Sequence, residues 1–297
     1  MPSSDDTVSS AAADRRSLIR PIDPGNGRVI LLVVAHADDP TLFIGGTVAA
    51  WSAGGWRVSV ARATDDRWDS VGLDEATTKR VGKEQFDAAM AVLGVAEVIE
   101  YGLPTDTLTD ADRLGLRERV IRDIRRLKPY ALVTFDPKFG AGEDNQDHVV
   151  VATAVDEAAW TSQFDLHHPE HRAEGLEPHG VFERWYFGRP VSEVTDVIDT
   201  SSFVATKVAA AVCHEAALRN FLNQLRLQAK TGGWRIPMID EALSGDIAPV
   251  VEALLTQSAA TSGERYGVGA AEEFRVERFS GLEELLGVLG VLGERIE

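Results

Sequence analysis

Cysteine is almost missing from this 297-residue chain. Cys213 stands alone, so neither an internal disulfide nor a cysteine-based zinc site can form. Set among alanines and valines, it reads as a buried core thiol. Positive charge is scarce too. Lys plus Arg number 30 against 47 Asp plus Glu, a formal net charge of −17, which argues against nucleic acid and anionic membrane as partners. No apolar run approaches the roughly 18 residues of a membrane-spanning helix. There is no Gly-x-Gly-x-x-Gly, so dinucleotide binding has no support, and there are no internal repeats. Met1 to Arg16 is polar and rich in Ser, Ala and Asp, without the apolar centre of a signal peptide. It reads as a disordered leader, drawn to residue 24, on a cytoplasmic protein.

What is present is a 44% hydrophobic fraction arranged as alternating strands and helices. A β-branched apolar run from Val29 reads as a buried central strand. Further strands are expected at Trp56–Ala63, Glu97–Tyr101 and Ala131–Phe135. Helices are expected after each of the four, at Thr41–Gly54, Thr77–Leu93, Asp112–Leu127 and about Val149–Trp160. This alternation predicts a Rossmann-like, doubly wound, mostly parallel α/β sheet. Gly45 and Gly46 would cost the first helix about 1 kcal/mol each, which close packing or open space near a site would explain. Thr161 to Gly180 holds four of the seven histidines (His167, His168, His171 and His179) and reads as a solvated loop, with an active-site lid as the competing reading. Helical and short-strand additions complete the chain: a strand at Val181–Phe187, a long helix at Ser201–Lys230, a helical stretch at Ile239–Gln257, a strand near Phe274–Val276 and a C-terminal helix at Leu282–Glu294.

Chemistry concentrates where the first strand ends, at Ala35-His36-Ala37-Asp38-Asp39-Pro40. Ionised groups at the end of a buried strand are costly unless compensated, and a metal ion compensates well. Taken alone, either Asp could cap the next helix and His36 could be a satisfied core histidine. The fourth strand leads into a second polar segment, Asp136 to His148. In a doubly wound sheet the first and fourth strands flank the switch point where ligands gather, so topology brings His148 toward His36. Two imidazoles and a carboxylate, His36, Asp39 and His148, match a catalytic zinc site with an open position for water. Asp38 is then a candidate general base. Asp66, Arg67 and Asp106 follow the second and third strands on the same sheet edge. The carboxylates could accept hydrogen bonds from sugar hydroxyls, and Arg67 could bind an anionic or glycosidic part of a substrate.

These paired motifs resemble the PIG-L/LmbE family of zinc-dependent de-N-acetylases, which carries Ala-His-Pro-Asp-Asp after the first strand and a His-x-Asp-His-like motif after the fourth. Here they read Ala35-His36-Ala37-Asp38-Asp39 and Asn145-Gln146-Asp147-His148. Supporting matches lie at Lys83–Phe86, Val92–Val95, Gly102–Asp106, Asp199 with Lys207 and His214, and Glu272–Arg275, so the resemblance runs from about residue 28 to 278. It implies a single LmbE-like domain over 25–297, one Zn2+ per chain held by His36, Asp39 and His148, and Asp38 as general base. The chain departs from the family at Ala37 for Pro, Pro40 for an acidic residue, Asn145 for His, and Ala216-Ala217 for the Ser-Gln that often follows the later His. The Asn145 amide can still donate to an oxyanion but cannot act as an acid. His214 is expected to be structural or to support the site from behind.

The function these features imply is a metal-dependent amide hydrolase. It would remove an N-acyl group, in the first instance acetyl, from an amino sugar or a glycosylated metabolite. Its partner is a small molecule, and the sequence leaves a homo-oligomer open. Competing readings are a thiol-conjugate amidase, a natural-product deacylase, and a catalytically weak metal- or sugar-binding protein. Two His and a carboxylate also suit divalent ions other than zinc.

Overall fold

The computed structural model describes residues 15–108, 113–138, 142–189 and 191–278. The expected C-terminal helix at Leu282–Glu294 and the first fourteen residues of the expected leader lie outside them. Five parallel strands form the centre: β1 (Val29–Val34), β2 (Arg57–Thr64), β3 (Glu97–Leu103), β4 (Ala131–Phe135) and β5 (Glu183–Phe187). Two further strands, β6 (Asp196–Asp199) and β7 (Ala271–Arg278), extend the sheet, with β7 antiparallel to both β5 and β6. The order is β3-β2-β1-β4-β5-β7-β6. β1 and β4 are therefore neighbours, and the winding reverses between them, as the alternation predicted. Both strands are covered on both faces, which is why they read as unbroken apolar runs.

Helices α1 (Asp39–Ala53) and α2 (Glu75–Val92) follow β1 and β2, and α3 (Arg113–Leu127) and α4 (Gln146–Thr161) follow β3 and β4. α3 packs on α4, while α1 and α2 both contact α6 (Val204–Ala211). α1 bends at Ile44, whose φ of −132° leaves the helical region. Gly45 and Gly46 sit just past that bend under close packing. A Cβ on Gly46 would lie 2.7 Å from the Thr200 Cβ, and one on Gly45 would lie 3.1 Å from the Lys207 Cγ.

The C-terminal part corrects several expectations. The long helix expected at Ser201–Lys230 is a 3-10 turn (Ser201–Phe203), α6, and α7 (Glu215–Thr231), interrupted at Val212–His214. Its apolar positions continue, but His214 turns inward and is buried there. The stretch expected at Ile239–Gln257 is likewise two helices, α8 (Pro237–Ser244) and α9 (Ala248–Glu264), broken at Gly245. α7, α8 and α9 enclose a second small apolar core around Leu218, Leu222, Ile239 and Val251, separate from the sheet core. Cys213 is half-buried rather than buried.

The segment expected as a solvated loop contains a short helix, α5 (Pro169–Ala173), and a fully buried His171. Its Nε2 lies 2.7 Å from Glu118 Oε1, and Arg125 donates to its Nδ1 at 3.2 Å. Arg125, itself buried, also donates to the backbone carbonyls of Ser162 and Phe164. This network pins a loop that polarity alone would leave in solvent. Residues 18–20, drawn within the expected leader, are tied to the sheet. Ile19 bridges Val197 in β6, and Arg20 pairs with Glu183 at 2.9 Å, because Leu18 and Ile19 cover an otherwise open sheet edge. Among the described residues, no helix is long and apolar enough to cross a membrane.

Candidate metal centre

The carboxyl ends of β1 and β4 bring the two motifs together across 112 residues of sequence. His36 Nδ1 and His148 Nε2 face each other at 3.2 Å. Asp39 Oδ1 lies 3.3 Å from His148 Nε2, and Asp39 Oδ2 lies 3.7 Å from His36 Nδ1. A tetrahedral ion with bonds of about 2.05 Å sets its ligand atoms about 3.3 Å apart. The two ring nitrogens stand at about that spacing with the Asp39 carboxylate against both, and these residues fit a divalent cation.

Each of the three is also held from behind. Asp39 Oδ2 accepts from the backbone N–H groups of Ala35 and His36, at 3.1 and 2.7 Å. Asp147 Oδ2 stands 3.3 Å from His36 Nε2, the ring nitrogen turned away from the cluster. Glu143 Oε2 stands 3.1 Å from His148 Nδ1, again the outward nitrogen. Carboxylates in these places fix ring orientation and tautomer, which is how metal-binding imidazoles are ordinarily supported. Phe135 stacks on the His148 ring at 4.0 Å. Asp147 also accepts from the N–H groups of Asp106 (2.7 Å) and Leu108 (3.3 Å), tying the turn after β3 to the site.

The electrostatics call for a cation. Burial would strip protons from both histidines, but neighbouring carboxylates outweigh it. Asp147 and Asp39 hold the pKa of His36 well above its ordinary value. Asp39 and Glu143 raise His148 to about 9. Burial of the Asp39 carboxyl is outweighed by the two imidazoles, and its pKa is lowered. Without a metal, protons supply the positive charge this cluster needs.

Asp38, the first residue before α1, lies beside the ligand set and lines an adjoining cavity. Burial, and then the neighbouring Asp39, push its carboxyl up to about 6. Asn145 precedes α4 and caps it: its side-chain oxygen accepts from the Asp147 N–H at 2.9 Å. That oxygen is committed, which leaves the amide N–H groups as the part of Asn145 able to serve a ligand. α4 also begins earlier than the sequence suggests, so His148 lies in its first turn and not in the preceding loop.

Two of the expected substrate contacts have partners within the protein. Asp66 is buried, with a left-handed φ of 49°, and its oxygens accept from Ala37 N (2.9 Å), Arg62 (2.9 Å) and Thr64 Oγ1 (2.6 Å). It shapes the turn that carries His36 and Asp38, and its hydrogen bonding is taken up within the protein. Arg67 pairs with Asp65 at 2.6 Å and with Glu75 at 3.3 Å, and so is tied to its own loop and the start of α2. Asp106 differs: its side chain is exposed, and its φ of 58° marks a tight turn beside Asp147. His214 is buried with Nε2 3.1 Å from Thr41 Oγ1, and burial pulls its pKa down to about 4.

The sequence reading missed Glu143 and Asp69. Asp69 groups with His36 and Asp66 as a second set of candidate ligand atoms, and burial, then Asp66, push its carboxyl to about 7. Both lie in acidic loops where one carboxylate looks like the next. Only their position after strands that end at the site could have singled them out.

Comparison with known proteins extends these observations. The PIG-L family, described as GlcNAc-PI de-N-acetylase, matches residues 31–159. The 1D-myo-inositol 2-acetamido-2-deoxy-alpha-D-glucopyranoside deacetylase of Rhodococcus jostii is 31% identical over 167 residues, covering 46% of this chain and 56% of that protein. The Mycobacterium tuberculosis enzyme of the same name is 32% identical over 146 residues, covering 40% and 47%. The chain thus spans about half the length of the curated relatives it matches. Among solved structures, N,N'-diacetylchitobiose deacetylase from Pyrococcus horikoshii is similar with a TM-score of 0.69 at 18% identity, over 96% of this chain and 98% of that one. The 4-carboxy-2-hydroxymuconate hydratase of Pseudomonas putida reaches 0.61 at 18%, over 84% and 95%. At such identities the likeness is one of fold. A deacetylase and a hydratase share it, so the chemistry has to be read from side chains.

Proposed function

From the match of residues 31–159 to the PIG-L family, we propose that the protein is a zinc-dependent hydrolase that removes an N-acetyl group from an amino sugar or a glycosylated metabolite. The observation that carries the reading is the convergence of His36 Nδ1, His148 Nε2 and the Asp39 carboxylate within a few ångström of one another, with Asp38 close enough to feel their charges. The names of these curated relatives, both deacetylases of an N-acetylated glucoside, supply the substrate class.

His36, Asp39 and His148 would hold the ion, which supplies Lewis acidity toward a water and an amide carbonyl. The remaining work falls to the protein. Asp38 takes the proton of the attacking water and passes one to the departing amine. Burial suits it to both roles, because a carboxyl raised toward neutrality both accepts and returns a proton. Asn145 Nδ2 donates to the developing oxyanion. Glu143 and Asp147 keep the two imidazoles in their ligating tautomers. The exposed Asp106 carboxylate accepts from a sugar hydroxyl at the rim.

The test is metal content together with amine release. Purified without chelator or histidine tag, the protein should carry about one zinc per chain and release amine from an N-acetylglucosamine glycoside. Asp38→Asn should retain the zinc and lose turnover, and His148→Ala should lose both. Full turnover in Asp38→Asn would refute the role given to Asp38. A wild type that takes up no zinc would refute the whole reading.

A further inference from the structure

A cavity of about 410 Å³ opens directly beside Asp38. The deacetylase chemistry proposed above leaves it unused. One wall is Leu42 and Phe43 in the first turn of α1, and the other is formed by α7 and α9. Phe43 packs edge-on against His148, so this wall is continuous with the metal cluster. Leu218, Leu222 and Val251, from the second apolar core, line its depth. At the rim, Phe221 and Leu254 are 42% and 47% exposed, large apolar side chains facing solvent at the mouth of a site. The volume lies within the range of small-ligand pockets.

The same rim carries Arg189, which follows β5. Its guanidinium lies over the Phe43 ring at 5.1 Å, forms no close ion pair among the described residues, and acts on the Glu143 carboxyl only at longer range, helping to lower its pKa. Most arginines of this acidic chain are tied to carboxylates. One without a close carboxylate partner, at the mouth of the apolar cavity that Asp38 also lines, is complementary to an anion carried by an apolar group.

Resting on the deacetylase reading, we propose that this cavity is the aglycone subsite and that the substrate is an N-acetylated amino-sugar glycoside whose aglycone is apolar and bears a carboxylate. The aglycone packs between Phe43 and Leu255 with Phe221 and Leu254 closing over it, and Arg189 pairs with the carboxylate. A polyhydroxylated aglycone would instead leave Phe221 and Leu254 in water and its own hydroxyls without partners along the apolar walls.

Three N-acetyl-β-D-glucosaminides test this with the zinc-loaded full chain: methyl, phenyl and 4-carboxyphenyl. The phenyl glycoside should exceed the methyl one in kcat/KM by about tenfold or more. The carboxylate should add about two- to fivefold, as a single rim charge pair does. Leu254→Asp and Phe221→Asp should each collapse the phenyl-to-methyl ratio. Both positions are exposed, so the variants should fold, and unchanged thermal melting would verify it. Arg189→Gln should abolish the gain from the carboxylate and keep the phenyl preference.

Equal kcat/KM for phenyl and methyl glycosides, or ratios unmoved by both aspartates, would overturn the subsite and leave the deacetylase reading standing. If no glycoside is hydrolysed, calorimetric binding separates the two ideas. Tighter binding of the phenyl than the methyl glycoside, lost in Leu254→Asp, would keep the subsite and refute deacetylation. No binding of any of the three would overturn both.

Discussion

Glu272 lies far from the metal cluster in sequence and has no chemical role in it, yet its removal should be among the most damaging single changes. It reaches from β7 into the bend of α1. Its Oε1 accepts from Gly46 N at 3.0 Å and from Lys207 Nζ at 2.7 Å, and its Oε2 accepts from Thr47 N at 2.7 Å. Past the bend at Ile44, these N–H groups are the open N-terminus of the second half of the helix, where a carboxylate is favoured. The pair is secluded, with the Glu272 side chain 6% and the Lys207 side chain 12% exposed. Glu272→Ala therefore leaves an ammonium buried with, among the described residues, the Phe43 carbonyl at 3.2 Å to receive it, and takes the carboxylate acceptor from two buried N–H groups. Breaking a buried pair from one side costs about 3–5 kcal/mol, so an expected loss of about 4 kcal/mol is reasonable before relaxation. That is a large share of the roughly 5–15 kcal/mol available to a domain, and it corresponds to a fall in Tm of about 8 °C. Urea unfolding followed by circular dichroism would measure it. Because Asp38, Asp39 and Thr41 begin the same helix, retention of a metal ion should weaken in parallel. The double variant Glu272→Leu with Lys207→Met should recover much of the loss, since it leaves no unpaired charge. A loss below about 1 kcal/mol in Glu272→Ala, or no recovery in the double variant, would refute this account of the bend.

Other outcomes follow from the same geometry. With the pKa of His148 raised to about 9 and that of His36 also raised by the surrounding carboxylates, the metal-free cluster holds protons that a bound cation must displace, so metal uptake should release protons. Calorimetry in buffers of different ionisation enthalpy would count them; release of none would contradict the proton-for-metal exchange. The two raised values also stabilise the metal-free fold. That contribution is complete below about pH 6.5, the unfolded value, and fades as pH rises through about 9. Asn145→Ala should cost about 1 kcal/mol through the lost helix cap, whereas Asn145→Asp keeps the cap and loses the amide donor. If Asn145 serves the oxyanion, kcat should fall by about a hundredfold in both variants, and a fall confined to Ala would assign the residue to capping alone. Finally, burial would raise the Asp136 carboxyl, but hydrogen bonds from Arg275 and from Ser192 hold it at about 2. A depressed carboxylate stabilises above its unfolded pKa of about 4, so about 2 kcal/mol should disappear between about pH 5 and pH 2. Asp136→Asn should remove that part of the acid dependence, which acid titration of stability would reveal.

Much of this molecule is legible in the sequence alone. The apolar run at Val29, the helix-strand alternation and the single cysteine are local or compositional facts. Together they restrict the chain to a doubly wound sheet whose first and fourth strands adjoin. That topology is enough to bring His148 toward His36, because the winding rules for parallel strands leave few alternatives. The residue types in the two motifs then point to a divalent cation, which offsets the cost of burying them at a strand end.

Tertiary structure decided what depends on long-range contacts that leave no periodic trace. Asp66 and Arg67 look alike in sequence as polar loop residues, but one holds the turn at Ala37 and the other its own loop. Glu143 and Asp147 become the supports of two imidazoles only once β1 and β4 are side by side. The interruption at Val212–His214 follows no helix-breaking run strong enough to predict, yet the chain's reversals there and at Gly245 fold α7 and α9 into the wall of an apolar cavity beside Asp38. Local pattern specifies which segments become strands and helices, and so the place of the metal cluster. The shape of the space a substrate enters is set by side chains that meet only after the chain has folded.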